Sequence, residues 1–271
     1  MIRNADRQAF LIVTPEISKH VLKLYQRLKT ATAAIGDLFI LYHSKNGIVP
    51  VSSGALNVEV FTNDILTGLG YKSIKNTLVP GSNHFPVLNF FLQHPEYKYY
   101  WCIEDDVSFK GGWEKIFSIV SAEMNYDFIS SHIRRYSDIP KWWWWNTMKS
   151  PAEEIDKQDL VSSFNPIYRI SNAALAHVDQ SLKSGYAGHH EVLLPTILKK
   201  DFNIADFSNK ENNITPVLSL CTLRTMRWKP VFIIPGNQKN MLYHPVKSKI
   251  TWEQLRVYIK RSLQNKKEYF S

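Results

Sequence analysis

Tyr99-Tyr100-Trp101-Cys102-Ile103-Glu104-Asp105-Asp106 is the stretch from which the fold is read. Five aromatic or apolar residues in a row suit a strand buried on both faces, and three acids follow without a break. In an open α/β sheet, ligands gather at the carboxyl ends of the strands. Carboxylates crowded there repel one another unless a cation lies among them. A hard divalent ion, Mn²⁺ or Mg²⁺, suits such oxygens and keeps coordination positions open for a diphosphate. The competing reading is that the acids only cap the next turn. The aromatic strand before them and Gly111-Gly112-Trp113 after them count against it.

Upstream, the chain alternates strand and helix. Ala9 to Thr14 and Asp37 to Tyr42 are short apolar runs of the buried-strand kind, and Asn57 to Thr62 alternates. Val21, Leu24, Tyr25 and Leu28 recur at helical spacing between the first two, and Val87, Leu88, Phe91 and Leu92 do so after Pro86. This order predicts an α/β fold with a mostly parallel central sheet flanked by helices. Downstream the pattern is less regular. Asp127 to Ser131 and Ile167 to Ile170 read as strands, and Asn172 to Lys183 and Glu191 to Lys199 as helices. Pro195 is expected in the first turn of the second helix, and Ile204 to Phe207 as an edge strand. Residues 136–160, with four tryptophans, form an excursion. Thr251 and Gln254 make a capping box for a last helix. One domain over 1–250 with a C-terminal helical tail, 251–271, is expected.

The 271 residues carry 33 Lys and Arg against 24 Asp and Glu, a net charge of +9. With 44% hydrophobic and 13% aromatic residues, disordered and fibrous classes are excluded. The basic balance favours an anionic partner. Cys102 and Cys221 are too few for a disulfide framework or a Cys-rich zinc site and read as buried thiols, as in a reducing compartment. No apolar run reaches membrane-spanning length.

A strand ending in Glu-Asp-Asp after several β-α units resembles the metal-binding segment of nucleotide-sugar glycosyltransferases of the GT-A fold. Pro80-Gly81-Ser82-Asn83-His84-Phe85-Pro86, Tyr99 to Asp106, Gly112-Trp113 and Gly188-His189-His190-Glu191 are also similar to an uncharacterised glycosyltransferase-like family of bacteria and fungi. The resemblance spans roughly residues 75–200. It implies a GT-A-like fold, Asp106 as metal ligand, and Glu104 toward the ribose or a metal-bound water; Asp105 receives a less definite donor-binding role. It also implies His244 as a late metal ligand, Lys247 steadying the diphosphate, and Asn83 near the nucleotide. Glu191 is the implied base, with His190 second.

Each assignment has a plainer counterpart. His244 could sit in a surface turn, Glu191 could merely complement a helix N-terminus, and Asn83 could belong to a plain turn. Adjacent His189 and His190 lack the i, i+4 spacing of a helical zinc site.

Trp142-Trp143-Trp144-Trp145 cannot all face one core. Indole faces stack on sugar rings, so Trp143 and Trp145, with Trp113, are expected at an acceptor platform; a packed flap is the other reading. From Lys247 to Glu268, seven Lys or Arg stand against two Glu. With Trp252 and Tyr258, that tail suggests a peripheral contact with an anionic bilayer, or else a solvated face.

The leading expectation is a metal-dependent glycosyltransferase. It moves a sugar from a nucleoside diphosphate donor, a UDP-sugar foremost, to a glycan or lipid-linked acceptor with inversion. Its expected setting is surface polysaccharide or lipopolysaccharide synthesis, in the cytoplasm or at the inner face of the membrane. The alternatives are a nucleic-acid-binding basic protein, disfavoured because no recognition motif is present, and a metal-dependent phosphoester hydrolase using the same acids.

Overall fold

The structure, a computed structural model, describes residues 7–49, 56–123, 125–151, 154–247, 252 and 256. In chain order the strands are β1 (Gln8–Thr14), β2 (Gly36–His43), β3 (Val58–Phe61), β4 (Tyr99–Glu104), β5 (Ser108–Phe109), β6 (Phe128–Arg135), β7 (Val161–Ser171), β8 (Ile204–Ser208), β9 (Val217–Cys221) and β10 (Leu242–Tyr243). The helices are α1 (Lys19–Thr32), α2 (Ile65–Gly68), α3 (Phe85–Gln93), α4 (Trp113–Glu123), α5 (Asn172–Ser184) and α6 (His190–Leu198).

Among the described residues, eight strands form one sheet in the order β3-β2-β1-β4-β7-β6-β8-β9. Only β7 runs antiparallel to its neighbours, β4 and β6; the other pairings are parallel. The α/β class and the mostly parallel sheet follow the expectation from the sequence. Alternation along β1 shows why both faces are covered. Ala9 and Leu11 join the core formed with α3, α5 and α6, whereas Phe10 and Ile12 join the core formed with α1 and α4. Trp101 and Ile103 of β4 lie on the second side, and Tyr100 and Cys102 on the first. Both cysteines are free and buried.

The sequence expectations need four corrections. First, Ile204 to Phe207 is not an edge strand, because β9 pairs outside it. Second, Pro195 lies inside α6 rather than in its first turn. There it removes the helical donor to the Glu191 carbonyl. Third, the helix α4 over Trp113–Glu123 has no counterpart in the sequence reading. Fourth, the Ile167 strand is much longer, spanning Val161–Ser171. The C-terminal helix expected over 251–271 lies outside the described residues, apart from Trp252 and Arg256, both helical and exposed. Among the described residues, no helix is long and apolar enough to cross a membrane.

Candidate functional site

The acids and His244 are far apart in sequence and meet through a small second sheet. β5 begins one residue beyond the acidic triplet, after Val107, and β10 directly precedes His244. The two pair antiparallel, Tyr243 opposite Ser108 and Leu242 opposite Phe109. The Val246 N–H then donates to the Asp106 carbonyl at 2.8 Å. That short ladder brings the imidazole and the Lys247 ammonium over the carboxyl end of β4.

Glu104, Asp106 and His244 each offer one ligand atom, and these atoms lie within 4.8 Å of one another. His244 Nε2 is 3.2 Å from Asp106 Oδ1 and 3.4 Å from Glu104 Oε2. The tautomer is fixed from behind: His244 Nδ1 lies 2.9 Å from the Arg227 carbonyl, to which it donates. Neutral His244 therefore turns an Nε2 lone pair toward two carboxylates, an arrangement that demands a positive charge between them. Without a metal, that charge is a second proton. Burial disfavours it, but hydrogen bonds and attraction from Asp106 and Glu104 prevail and raise the His244 pKa to about 9. Burial pushes Asp106 up, yet His244 and Lys247 outweigh it and hold its pKa at about 2.

The donor set fits a divalent cation. Asp106 is 7% exposed, and among the described residues its buried Oδ1 meets only the His244 Nε2 that it faces at 3.2 Å, without a well-aligned hydrogen bond. Two carboxylates and one imidazole are oxygen-rich borderline chemistry of the Mn²⁺ or Mg²⁺ kind. The other oxygen, Oδ2, is taken by Lys247 Nζ at 2.5 Å. Asp105 turns elsewhere: its side chain accepts from Thr14 Oγ1 at 2.6 Å, and its carbonyl from His20 Nε2 at 3.0 Å. Burial raises its pKa. Asp105 thus ties the triplet to the end of β1 instead of facing Glu104 and His244.

A second group adjoins the first. Asn83 Nδ2 donates to Glu104 Oε1 at 3.4 Å, linking the loop before α3 to the acids. The same loop holds Gly81 at φ +110°, where a Cβ would come within 2.9 Å of Ile74 Cδ1 and 3.3 Å of His189 Cδ2. The Gly81 carbonyl accepts from the His190 N–H at 2.9 Å, so the N-terminal ends of α3 and α6 are joined. His189 caps α6, its Nδ1 accepting from the Glu191 N–H at 3.3 Å. His84 and His190 lie with parallel rings 6.4 Å apart, and both ring nitrogens of His84 are buried without hydrogen-bond partners among the described residues.

This second group is held neutral. Burial lowers the pKa of His84 to about 3 and of His189 to about 4, and drives His190 well below its ordinary value. Burial also raises Glu191 to about 8, and the charge of Glu104 adds to that rise. The hydrogen bond from the Asn165 N–H, 3.4 Å from Oε1, and attraction to His244 oppose it. Glu191 is therefore in electrostatic reach of the metal-ligand group, with a carboxyl poised to exchange its proton near neutrality.

His190 Nδ1 faces Asn165 Nδ2 at 3.5 Å, behind Glu191, and His190 is 5% exposed. That arrangement fits a supporting group better than a proton acceptor open to substrate. Asn165 was not apparent in sequence. It sits in β7, its amide oxygen accepts from Ser130 and Ser163 at 2.6 Å each, and its Nδ2 donates to the His190 carbonyl at 3.2 Å. A polar Asn inside a strand-forming run, just before Pro166, was its only signal.

The tryptophans divide. Trp113 is buried in α4 against Phe109 and Phe117, and Trp145 is buried against Tyr136 and Trp142 with its indole N–H given to the Ile139 carbonyl. Neither has a free face for a sugar, because each completes a core; both are corrected as acceptor platforms. Trp143 is 67% exposed. Trp144, not singled out from the sequence, stacks on His189 at 4.2 Å and so closes over the Glu191 group.

No family model matches the chain, and no curated protein matches it. Among solved structures it is similar to the 4-diphosphocytidyl-2C-methyl-D-erythritol synthase of Anaerococcus prevotii, at 9% identity over 96% of this chain and 99% of that one, with a TM-score of 0.43.

Proposed function

We propose that the protein is a metal-dependent glycosyltransferase that moves a sugar from a nucleoside diphosphate donor, a UDP-sugar foremost, to a hydroxyl of a glycan or lipid-linked acceptor. The observation that carries this reading is the convergence of Glu104, Asp106 and His244 at the carboxyl end of β4, beside a separate carboxyl, Glu191, with a raised pKa. Asp106, Glu104 and His244 would hold a divalent cation, which would supply charge stabilisation for a departing diphosphate.

The chain's own residues do the rest. Lys247, beside Asp106, adds a fixed positive charge for the diphosphate. Asn83 orients Glu104 and borders the donor. Glu191, once ionised, takes the proton from the acceptor hydroxyl as it attacks the anomeric carbon, and the configuration inverts. Asn165, His189 and His190 position Glu191. Of Trp113, Trp143 and Trp145, Trp143 is the one exposed to an acceptor sugar. Residues 1–250 constitute the catalytic unit in this reading.

The test is nucleoside diphosphate release from a panel of nucleotide sugars, with Mn²⁺ or EDTA and with or without a mixed glycan acceptor. The expected result is release from one donor class that EDTA abolishes and an acceptor accelerates. Release of inorganic phosphate or free sugar, unaffected by any acceptor, would replace this reading by a hydrolase.

A further inference from the structure

The segment that runs beside the His244 strand carries an unusual surface. Between Thr222 and Asn240, Leu223 is 50% exposed, Trp228 71%, Ile233 65% and Ile234 75%. Scattered single apolar residues are ordinary on a surface, but four large ones within twelve positions are not. The segment is nevertheless held by contacts of its own. Arg227 Nε donates to the Pro230 carbonyl at 2.8 Å, and its guanidinium lies 4.0 Å from the Phe232 ring centre. This closed turn leaves Trp228, Ile233 and Ile234 exposed.

Cations are interleaved with these side chains. Arg224, Lys229 and Lys239 are exposed, and Lys229 Nζ lies 4.7 Å from the Trp228 ring centre. From Asn212 to Trp252 the chain has six Lys or Arg and no Asp or Glu. Exposed indole and aliphatic side chains mixed with cations suit the boundary between lipid headgroups and acyl chains. Nucleic acid would reward the cations but gives exposed Ile233 and Ile234 nothing to enter.

The segment is also fixed to the candidate metal site. Met226 bridges to His244, Phe232 bridges to Val246, and the Lys247 N–H donates to the Phe232 carbonyl at 2.8 Å. From this we infer that residues 223–234 form a docking surface for an anionic lipid bilayer. Docking there places the site bearing His244 and Lys247 beside the membrane, where a lipid-linked acceptor would be held. The bilayer contact itself does not depend on glycosyl transfer; only the lipid-linked acceptor rests on that reading.

Vesicle co-sedimentation of the full chain tests it, using phosphatidylcholine vesicles with and without phosphatidylglycerol. Wild type is expected to bind the anionic vesicles, less so at high salt, and the neutral ones weakly. The triple variant Trp228→Ser, Ile233→Ser, Ile234→Ser should partition about tenfold less or weaker still, with unchanged thermal stability because these side chains are exposed. Arg224→Ser with Lys229→Ser should lower binding and flatten its salt dependence. Absence of wild-type binding, or equal binding to both vesicle types, overturns the inference. So does a triple variant that binds like wild type, which would assign attachment to the basic tail. A wild-type dimer in sedimentation velocity that the triple variant abolishes, without vesicle binding, would make the surface a contact between copies.

Discussion

Two neighbouring groups at one end of the sheet respond to burial in opposite ways. In Glu104, Asp106, His244 and Lys247, opposite charges face each other, so Asp106 stays ionised and His244 is pushed toward its charged form. In His84, His189, His190 and Glu191, nearly the same residue types are withdrawn from water, and the one imidazole–carboxylate contact, His189 Nδ1 to Glu191 Oε2, is longer at 3.7 Å. The imidazoles lose their protons and the carboxyl keeps its own. Desolvation alone favours the neutral form, and a partner at hydrogen-bond distance reverses that. The first group is suited to hold a cation and the second to move a proton, a division of labour set by which residues face which.

The sharpest way to separate the two groups is Glu191→Gln. It should lower transfer by about a hundredfold to ten-thousandfold, the range for losing a general base, and leave Mn²⁺ affinity unchanged. Wild-type rate should rise with pH through about 8, as Glu191 ionises. Its folded pKa is raised from 4.5 to about 8, so its contribution to stability is full below 4.5 and is lost as pH rises through about 8. Glu191→Gln should therefore melt higher than wild type at pH 8.5, with a smaller difference at pH 5. A variant that loses Mn²⁺ binding too would merge the groups into one.

The charged group has its own pH signature. His244 is raised from 6.5 to about 9, so in EDTA its contribution is full below pH 6.5 and is lost as pH rises through about 9. The loss amounts to about 3 kcal/mol, measured by denaturant titration as the difference between wild type and His244→Gln at the two ends of that window. Saturating Mn²⁺ should suppress it, because the ion takes the place of the proton.

Smaller effects probe how the neutral group is held. Gly81→Ala places a Cβ against Ile74 and His189 at a positive φ, and should cost about 1–3 kcal/mol in chemical denaturation. Trp144→Ala removes the ring stacked on His189 and should cost about 0.5–1.5 kcal/mol beyond the area lost. Trp143→Ala should leave stability unchanged and raise the acceptor KM alone, since that indole is exposed.

Much of this was legible in the sequence, for identifiable reasons. The continuous apolar runs of β1 and β4 announce strands buried on both faces, whereas that of β2 belongs to a strand with half its residues partly exposed; the acids stand directly at the end of β4. The reversed direction of β7 was not legible: nearly all its residues are buried, and a strand covered on both faces gives no alternation and no sign of orientation. The β5–β10 pairing involves two residues on each side, too few for any periodic signal, yet it delivers His244 to Asp106. The four tryptophans were visible as a run, but which of them pack depends on partners such as Tyr136, Ile139 and His189 that only the fold supplies.

The central claim is that Glu104, Asp106 and His244 bind one divalent cation. Titration of the EDTA-stripped protein with Mn²⁺, followed by calorimetry at pH 7.5, measures it directly. The account predicts a single site in the wild type whose affinity falls at least about tenfold in Asp106→Asn and in His244→Ala. Unchanged affinity in both variants, or no saturable binding to the wild type at millimolar Mn²⁺, would contradict it.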